Sequence, residues 1–378
     1  MSKVKPLSYL ADIKPYLPGD FAVDGVEEIV KLSSNESPLG PSPKAIEALA
    51  TLQPSLQTYP DSFATELRKT IAEKYSLDPE QIACEAGSEP IINLLARAYA
   101  QIGDEILFSQ YGFIAYKIAA LSMGATPVAA PEIAYTASVD TLLDCVSERT
   151  RILFLANPNN PTGTGLPFTE IKRLRESLRE DILLVLDAAY AEYCHADEYR
   201  DGSSLVNNAA ANVVVLHTFS KIYGLAALRV GWAYAPLEIV EVLNNLRGVF
   251  TVSTAAQLCA VAALHELGHV DVEAVLPQRS GQLARLVGVE IDDARGKFGG
   301  QRAARRGQRG DLIEEPVLGV GWQIDQQSLG EPRGRRRGVE AGVAQRGRPV
   351  LAQVDGNFAA VSAGLDAVGG QRGGLVLE

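Results

Sequence analysis

Thr218-Phe219-Ser220-Lys221-Ile222-Tyr223-Gly224-Leu225-Ala226-Ala227-Leu228-Arg229 follows directly on the apolar run Val213 to Leu216. The run reads as a buried strand, and the segment after it as the loop at that strand's carboxyl end. A lysine there, among small residues, is placed where desolvation lowers its pKa, and a neutral amine is the form that condenses with an aldehyde. Ser220 precedes it and Arg229 follows eight residues later, a hydroxyl and a guanidinium that together suit a phosphate group. Lys221 read by itself is equally a solvated surface charge.

Outward from this loop the chain alternates. Short apolar or β-branched runs at 105–108, 126–129, 152–156, 182–187 and 213–216 are separated by helical patterns such as 89–100, 112–123 and 169–179. Alternation of this kind predicts a mainly parallel sheet flanked by helices, with functional groups collecting beyond the carboxyl ends of the strands. Several motifs fall at those ends. Asn157-Pro158-Asn159-Asn160-Pro161-Thr162-Gly163 is either a plain turn or a rigid loop that presents the Asn160 amide to a ligand oxygen. Asp187 ends the run Ile182 to Leu186, with Tyr190 three residues on; its carboxylate caps the next segment or pairs with a protonated ring nitrogen. Gly87-Ser88-Glu89-Pro90 opens a helix whose free amides suit a phosphate. Phe113 and Tyr116 offer aromatic faces for stacking or are core. A Schiff-base lysine, an acid for a ring nitrogen, an amide and a phenol for a ring oxygen, phosphate donors and an aromatic face together describe a site for pyridoxal 5′-phosphate.

Asn35 to Gly40, Tyr59-Pro60-Asp61, Asn157 to Gly163, Asp187-Ala188-Ala189-Tyr190 and Thr218 to Arg229, in that order, resemble the histidinol-phosphate aminotransferase family of fold-type I pyridoxal-phosphate enzymes. The resemblance runs from about Leu10 to about Ala274. It implies an N-terminal arm (1–40) and a cofactor-binding large domain (41–274), and a homodimer. Lys221 would be the Schiff-base and proton-transferring residue, Asp187 would hold the ring nitrogen protonated, and Asn160 and Tyr190 would bind the ring oxygen. Phe113 would stack on the ring, while Ser220, Arg229 and the amides around Gly87, Ser88 and Glu89 would hold the phosphate. Tyr59 would reach that phosphate from the second subunit, and Tyr16 would lie on the substrate side. The reaction implied is exchange between histidinol phosphate and 2-oxoglutarate, in histidine biosynthesis. An aminotransferase for aromatic or other amino acids, or a phosphothreonine decarboxylase, shares the cofactor motifs. Pro90 and Ala227 depart from the family pattern without removing a catalytic group.

The composition changes after residue 274. Residues 272–378 hold 20 of the 34 glycines and 14 of the 24 arginines, one lysine, and no Tyr, Thr, Cys, Met or His. They show neither helical nor strand periodicity, match nothing of the family's small domain and supply no arginine recognisable as the grip on a substrate carboxylate. Such a composition fits translation out of frame from a GC-rich gene, the alternative being a strongly divergent small domain. If it is out of frame, a cofactor-binding protein impaired in turnover is the expectation. An RNA-binding tail lacks the interleaved aromatics that role uses. The net charge of −11 disfavours nucleic acid and anionic membrane as partners. Four scattered cysteines and four histidines show no metal-ligand spacing, and no apolar run has bilayer-spanning length, so a cytoplasmic location with reduced, buried thiols is expected, while the partners that the resemblance implies are small-molecule substrates.

Overall fold

A computed structural model of the chain describes residues 4–14, 29–31, 34–52, 56–194, 196–206, 212–266, 349–354, 357–362 and 374–376. The chain divides into two compact units. One comprises Met1–Tyr16 and Glu36–His269, the other Leu17–Asn35 and Val270–Glu378.

The first unit is built on seven strands, β2 (Ile82–Glu85), β3 (Glu105–Ser109), β4 (Thr126–Ala130), β5 (Thr150–Ala156), β6 (Leu183–Asp187), β7 (Val213–Thr218) and β8 (Gly231–Tyr234), which follow β1 (Ile29–Lys31) of the second unit. Their spatial order is β2-β8-β7-β6-β5-β3-β4, with β8 antiparallel to both neighbours and every other pairing parallel. The helices are α1 (Pro43–Ala50), α2 (Thr65–Tyr75), α3 (Ser88–Tyr99), α4 (Ile114–Ser122), α5 (Val139–Asp144), α6 (Phe168–Ser177), α7 (Leu237–Leu246) and α8 (Thr254–Glu266). Every residue of β2, β3, β6, β7 and β8 is buried, which is why these strands are continuous apolar runs rather than alternating ones.

The expected mainly parallel α/β sheet is therefore present, with corrections at its short elements. β2 and β8 are not among the runs predicted as strands; each has four residues, too few for a period to register. Helix α4 starts at Ile114 rather than Gly112, with Phe113 in the extended position before it. The N-terminal arm contains a 3₁₀ turn, Ser8–Asp12.

The second unit pairs β1 in parallel with β11 (Gly374–Val376), and β9 (Pro349–Val354) antiparallel with β10 (Asn357–Ser362). The absence of strand periodicity expected after residue 274 does not hold for these stretches.

Candidate active site

Three adjacent parallel strands bring the site together. The registers Ala156↔Asp187 and Asp187↔Leu216 set the carboxyl ends of β5, β6 and β7 side by side. The Asn157–Gly163 loop, the Asp187–Tyr190 turn and the lysine loop therefore leave the sheet at one edge. Backbone hydrogen bonds tie them together there: Asn157 N–H donates to the Asp187 carbonyl (3.0 Å) and Ala188 N–H to the Leu216 carbonyl (2.8 Å).

Asp187 is 6% exposed. Its Oδ2 accepts from the Tyr116 hydroxyl at 2.8 Å and its Oδ1 from the Ala189 amide at 3.2 Å. Burial pushes its pKa above the usual carboxylate range, and the two hydrogen bonds with the nearby His217 and Lys221 charges oppose that without cancelling it. Such a buried acid gains from a cationic partner at its open side. Lys221 Nζ stands 5.4 Å from the centroid of the Tyr190 ring. Burial lowers its pKa, Glu36 and Asp187 pull it back up, Arg229 pushes it down, and the result is below the ordinary lysine value. The amine is thus shifted toward the neutral, nucleophilic form.

A second group of contacts forms a cradle. The Arg229 guanidinium donates to Ser220 Oγ at 3.1 Å and to the Ala226 carbonyl at 2.9 Å. Helix α3 begins beside it. Gly87 adopts φ +109°, and a Cβ placed there would lie 2.5 Å from Arg229 Nη2. A Cβ on Gly231, where β8 begins, would lie 2.6 Å from the Ser88 amide nitrogen. Glycine at both positions lets the helix terminus, the guanidinium and the serine hydroxyl converge, a set of donors that suits a phosphate dianion. Glu89 is exposed in the first turn, where its backbone amide rather than its carboxylate matters.

The Asn-rich loop is held by two residues that the sequence reading passed over. Asn157 is buried, donates to the Leu166 carbonyl (3.1 Å) and accepts from the Leu166 amide (2.8 Å). Asn159, also buried, donates to the Tyr111 carbonyl (3.2 Å) and Thr162 Oγ1 (2.9 Å). Asn160, next in the chain after these anchors, is half-buried. Phe113 sits beyond β3, edge-on to Tyr116 at 5.9 Å. Tyr116 itself is fully buried and stacked on Phe154 at 4.9 Å, so its faces belong to the core and only its hydroxyl reaches the site.

Tyr59 is 81% exposed and stacks on Phe250 at 4.5 Å. Tyr16 lies outside the described residues. Of the cysteines, Cys84 and Cys259 are buried as expected while Cys145 and Cys194 are half-buried; all four are free. Among the described residues no group of His, Cys, Asp and Glu could hold a metal ion, and no helix is long and apolar enough to cross a membrane.

A phosphate cradle, a desolvated amine over an aromatic ring and a buried acid at the carboxyl ends of the strands fit a phosphorylated pyridine aldehyde in donor chemistry. The family model for aminotransferases of class I and II matches residues 27–279. A histidinol-phosphate aminotransferase of Paramagnetospirillum magneticum is 50% identical over 291 residues, 76% of this chain and 80% of that one. Its counterpart in Rhodospirillum centenum is 47% identical over 280 residues, 74% and 77% of the two chains. Among solved structures, histidinol-phosphate aminotransferase from Sinorhizobium meliloti in complex with pyridoxal 5′-phosphate superimposes with a TM-score of 0.62 at 26% identity, over 66% of this chain and 67% of that one. The strand-end constellation and these matches agree: the chain belongs to the class I and II aminotransferase family.

Proposed function

We propose that the protein transfers the amino group of histidinol phosphate to 2-oxoglutarate, with pyridoxal 5′-phosphate as cofactor, giving imidazole acetol phosphate and glutamate. The observation that carries the choice of substrate is the identity of about half the aligned residues with proteins bearing that activity's name, over three quarters of the chain. When bound, the cofactor supplies an aldehyde for the incoming amine and a ring that draws off electron density from the substrate's Cα.

The chain's own residues divide the work. Lys221 would hold the cofactor's aldehyde carbon, and once the substrate's amine has displaced it, its free Nζ, shifted toward the neutral form by burial, would take the proton from the substrate Cα. Asp187 accepts from the protonated ring nitrogen. Asn160 and Tyr190 orient the ring through its oxygen, and Phe113 covers one face. Ser220, Arg229 and the amides of Gly87, Ser88 and Glu89 anchor the phosphate, and fixing that end places the reacting carbon beside Lys221. Tyr59 completes the phosphate site of a second subunit in a homodimer, and Tyr16 lies on the substrate side.

The test is a coupled assay for glutamate with purified, cofactor-loaded protein. Glutamate formation from histidinol phosphate supports the reading; turnover of phenylalanine with none of histidinol phosphate overturns it. Lys221→Ala should yield no borohydride-stable covalent adduct, and a surviving adduct removes Lys221 from its role.

One observation favours a second reading. The family match stops at residue 279 and the chain continues to 378. A protein that binds cofactor without turnover, because residues 275–378 are out of frame, predicts a yellow loaded protein that reacts with no amino donor.

A further inference from the structure

We propose that Tyr116 is a positioning residue for Asp187: its hydroxyl fixes and keeps ionised the carboxylate that meets the cofactor's ring nitrogen. The inference rests on the cofactor reading above. Tyr116 stands in the first turn of α4, fully buried, and its hydroxyl donates to Asp187 Oδ2 at 2.8 Å. Its ring has no freedom to move off that line. Phe154 of β5 stacks on it at 4.9 Å with the planes 1° apart, Phe113 meets it at 90°, and Phe108 of β3 lies 6.4 Å away.

The phenol is held as a donor. Burial, and the negative charge of Asp187 beside it, push its pKa well above the ordinary tyrosine value, so it does not compete as an anion. Asp187 therefore has one oxygen tied to α4 by Tyr116 and the other to its own turn by Ala189 N–H. The other charged or titratable groups that act on this carboxylate are His217 of β7 and Lys221 of the loop after it, with Tyr199 and, through Tyr116, Tyr190 nearby. Among these the Tyr116 hydroxyl makes the side-chain hydrogen bond. A hydrogen bond to an ionised acceptor favours ionisation, here against the burial that raises the Asp187 pKa. Phe113, the proposed ring-stacking residue, packs on the same tyrosine, so one side chain sets both the acid and the aromatic wall.

Tyr116→Phe deletes the donor and keeps the ring. Without it Asp187 takes up a proton at higher pH, and a neutral Asp187 loses the negative charge that holds the proton on the ring nitrogen. The measurement is the dissociation constant of pyridoxal 5′-phosphate, by fluorescence titration of cofactor-free full-length protein between pH 5 and 8. The titration of the cofactor's own phosphate is common to every variant and cancels in the comparison. Tyr116→Phe should weaken binding about tenfold near pH 6 and move the acid limb of the profile up by about one pH unit. Phe154→Leu, which loosens the same packing and leaves the hydroxyl, should lower the melting temperature without moving the limb. Difluorotyrosine at position 116, a stronger donor of nearly the same shape, should move the limb down, and it serves if Tyr116→Phe does not fold. An unmoved limb in Tyr116→Phe and in the fluorinated protein, or an equal shift in Phe154→Leu, overturns the proposal. Wild-type protein that binds no pyridoxal 5′-phosphate overturns instead the cofactor reading on which it stands.

Discussion

His217, four residues before Lys221 on β7, is 2% exposed and has a carboxylate on either side. Its Nε2 lies 3.1 Å from Asp201 Oδ2 and its Nδ1 3.7 Å from Glu192 Oε1, while Trp232 stacks on the ring at 4.3 Å. Glu192 also accepts from Tyr75, whose hydroxyl meets that of Tyr223 at 2.7 Å. The cluster thus joins β7, the segment after Tyr190 and the lysine loop. Burial pushes an imidazole's pKa down, but the carboxylates outweigh it and His217 rises to about 9. Asp201, with burial opposing and His217 and Ser203 favouring its charge, falls to about 2. The folded state therefore holds the His217 proton more tightly than the unfolded chain. The stabilisation is complete below an ordinary histidine pKa near 6.5, declines between there and about 9, and is absent above. For Asp201 the sense is reversed, with stability present above about 3.8 and lost as the pH falls toward 2. We expect the melting temperature to fall between pH 6.5 and 9. His217→Gln should flatten that decline and cost about 1–3 kcal/mol at pH 6.5, because two half-buried carboxylates lose their cation. An unchanged slope in the variant would assign the decline to another group. The sequence did not disclose this cluster, since 25 residues separate Glu192 from His217 and only the fold joins them. For the same reason it presented Tyr116 as a stacking face. The spacing of aromatics on a helix tells which side is buried, not which hydroxyl finds an acid across the core.

At the scale of elements the reading succeeded where a strand is long and apolar and ends in a distinctive loop. β5, β6 and β7 each close on Asn157, Asp187 or the lysine loop, so their ends were visible as abrupt changes from Val, Ile and Leu to polar residues. The antiparallel β8 was not visible, because strand direction depends on whether the connection is a tight turn or a crossover. The chain turns back at the lysine loop's own 3₁₀ segment, Ala226–Leu228, just before Arg229, and enters β8 at Gly231. That reversal has a consequence for the phosphate cradle. β8 returns so close to the start of α3 that Gly231 packs on the Gly87 carbonyl carbon and the Ser88 amide; a Cβ would meet them at 2.7 and 2.6 Å. These are backbone atoms and cannot rotate aside. Gly231→Ala should force β8 and the α3 terminus apart, destabilise the fold by about 1–3 kcal/mol and weaken retention of pyridoxal 5′-phosphate. Gly87→Ala should act more locally, displacing the Arg229 guanidinium and adding strain at φ +109°. Thermal melts with and without added inorganic phosphate separate the two: Gly87→Ala should lose the phosphate-induced rise in melting temperature while the cofactor-free melt changes less than in Gly231→Ala.

At the scale of the molecule, the homodimer is the part of the proposal that reaches furthest from a single chain. Tyr59 is ring-stacked on Phe250 yet 81% exposed, and Phe63 (55%) and Val249 (72%) lie exposed in the same two segments of sequence. Their backbone is firmly built. The Asp61 carboxylate accepts from the amides of Phe63 and Thr65, Gln257 donates to the Asp61 carbonyl, and Arg247 lies 5.3 Å over the Phe63 ring. A fixed turn that carries an exposed aromatic pair suits burial against another protein surface. If Tyr59 serves the phosphate site of a second subunit, each site combines Lys221 from one chain with Tyr59 from the other. Two inactive proteins then complement each other. In a mixed dimer of Lys221→Ala and Tyr59→Ala chains, the subunit that keeps its lysine receives an intact tyrosine and has a complete site. The other site lacks both. Denaturing the two variants together and refolding them should restore glutamate formation to well above the sum of the separate proteins, whereas refolding each alone should not. If Tyr59 instead serves its own chain, the lysine-bearing subunit still lacks its tyrosine, and the mixture should show only the mean of the two. The result reads out subunit exchange and the reach of one side chain in a single activity measurement, and only a shared site gives recovery.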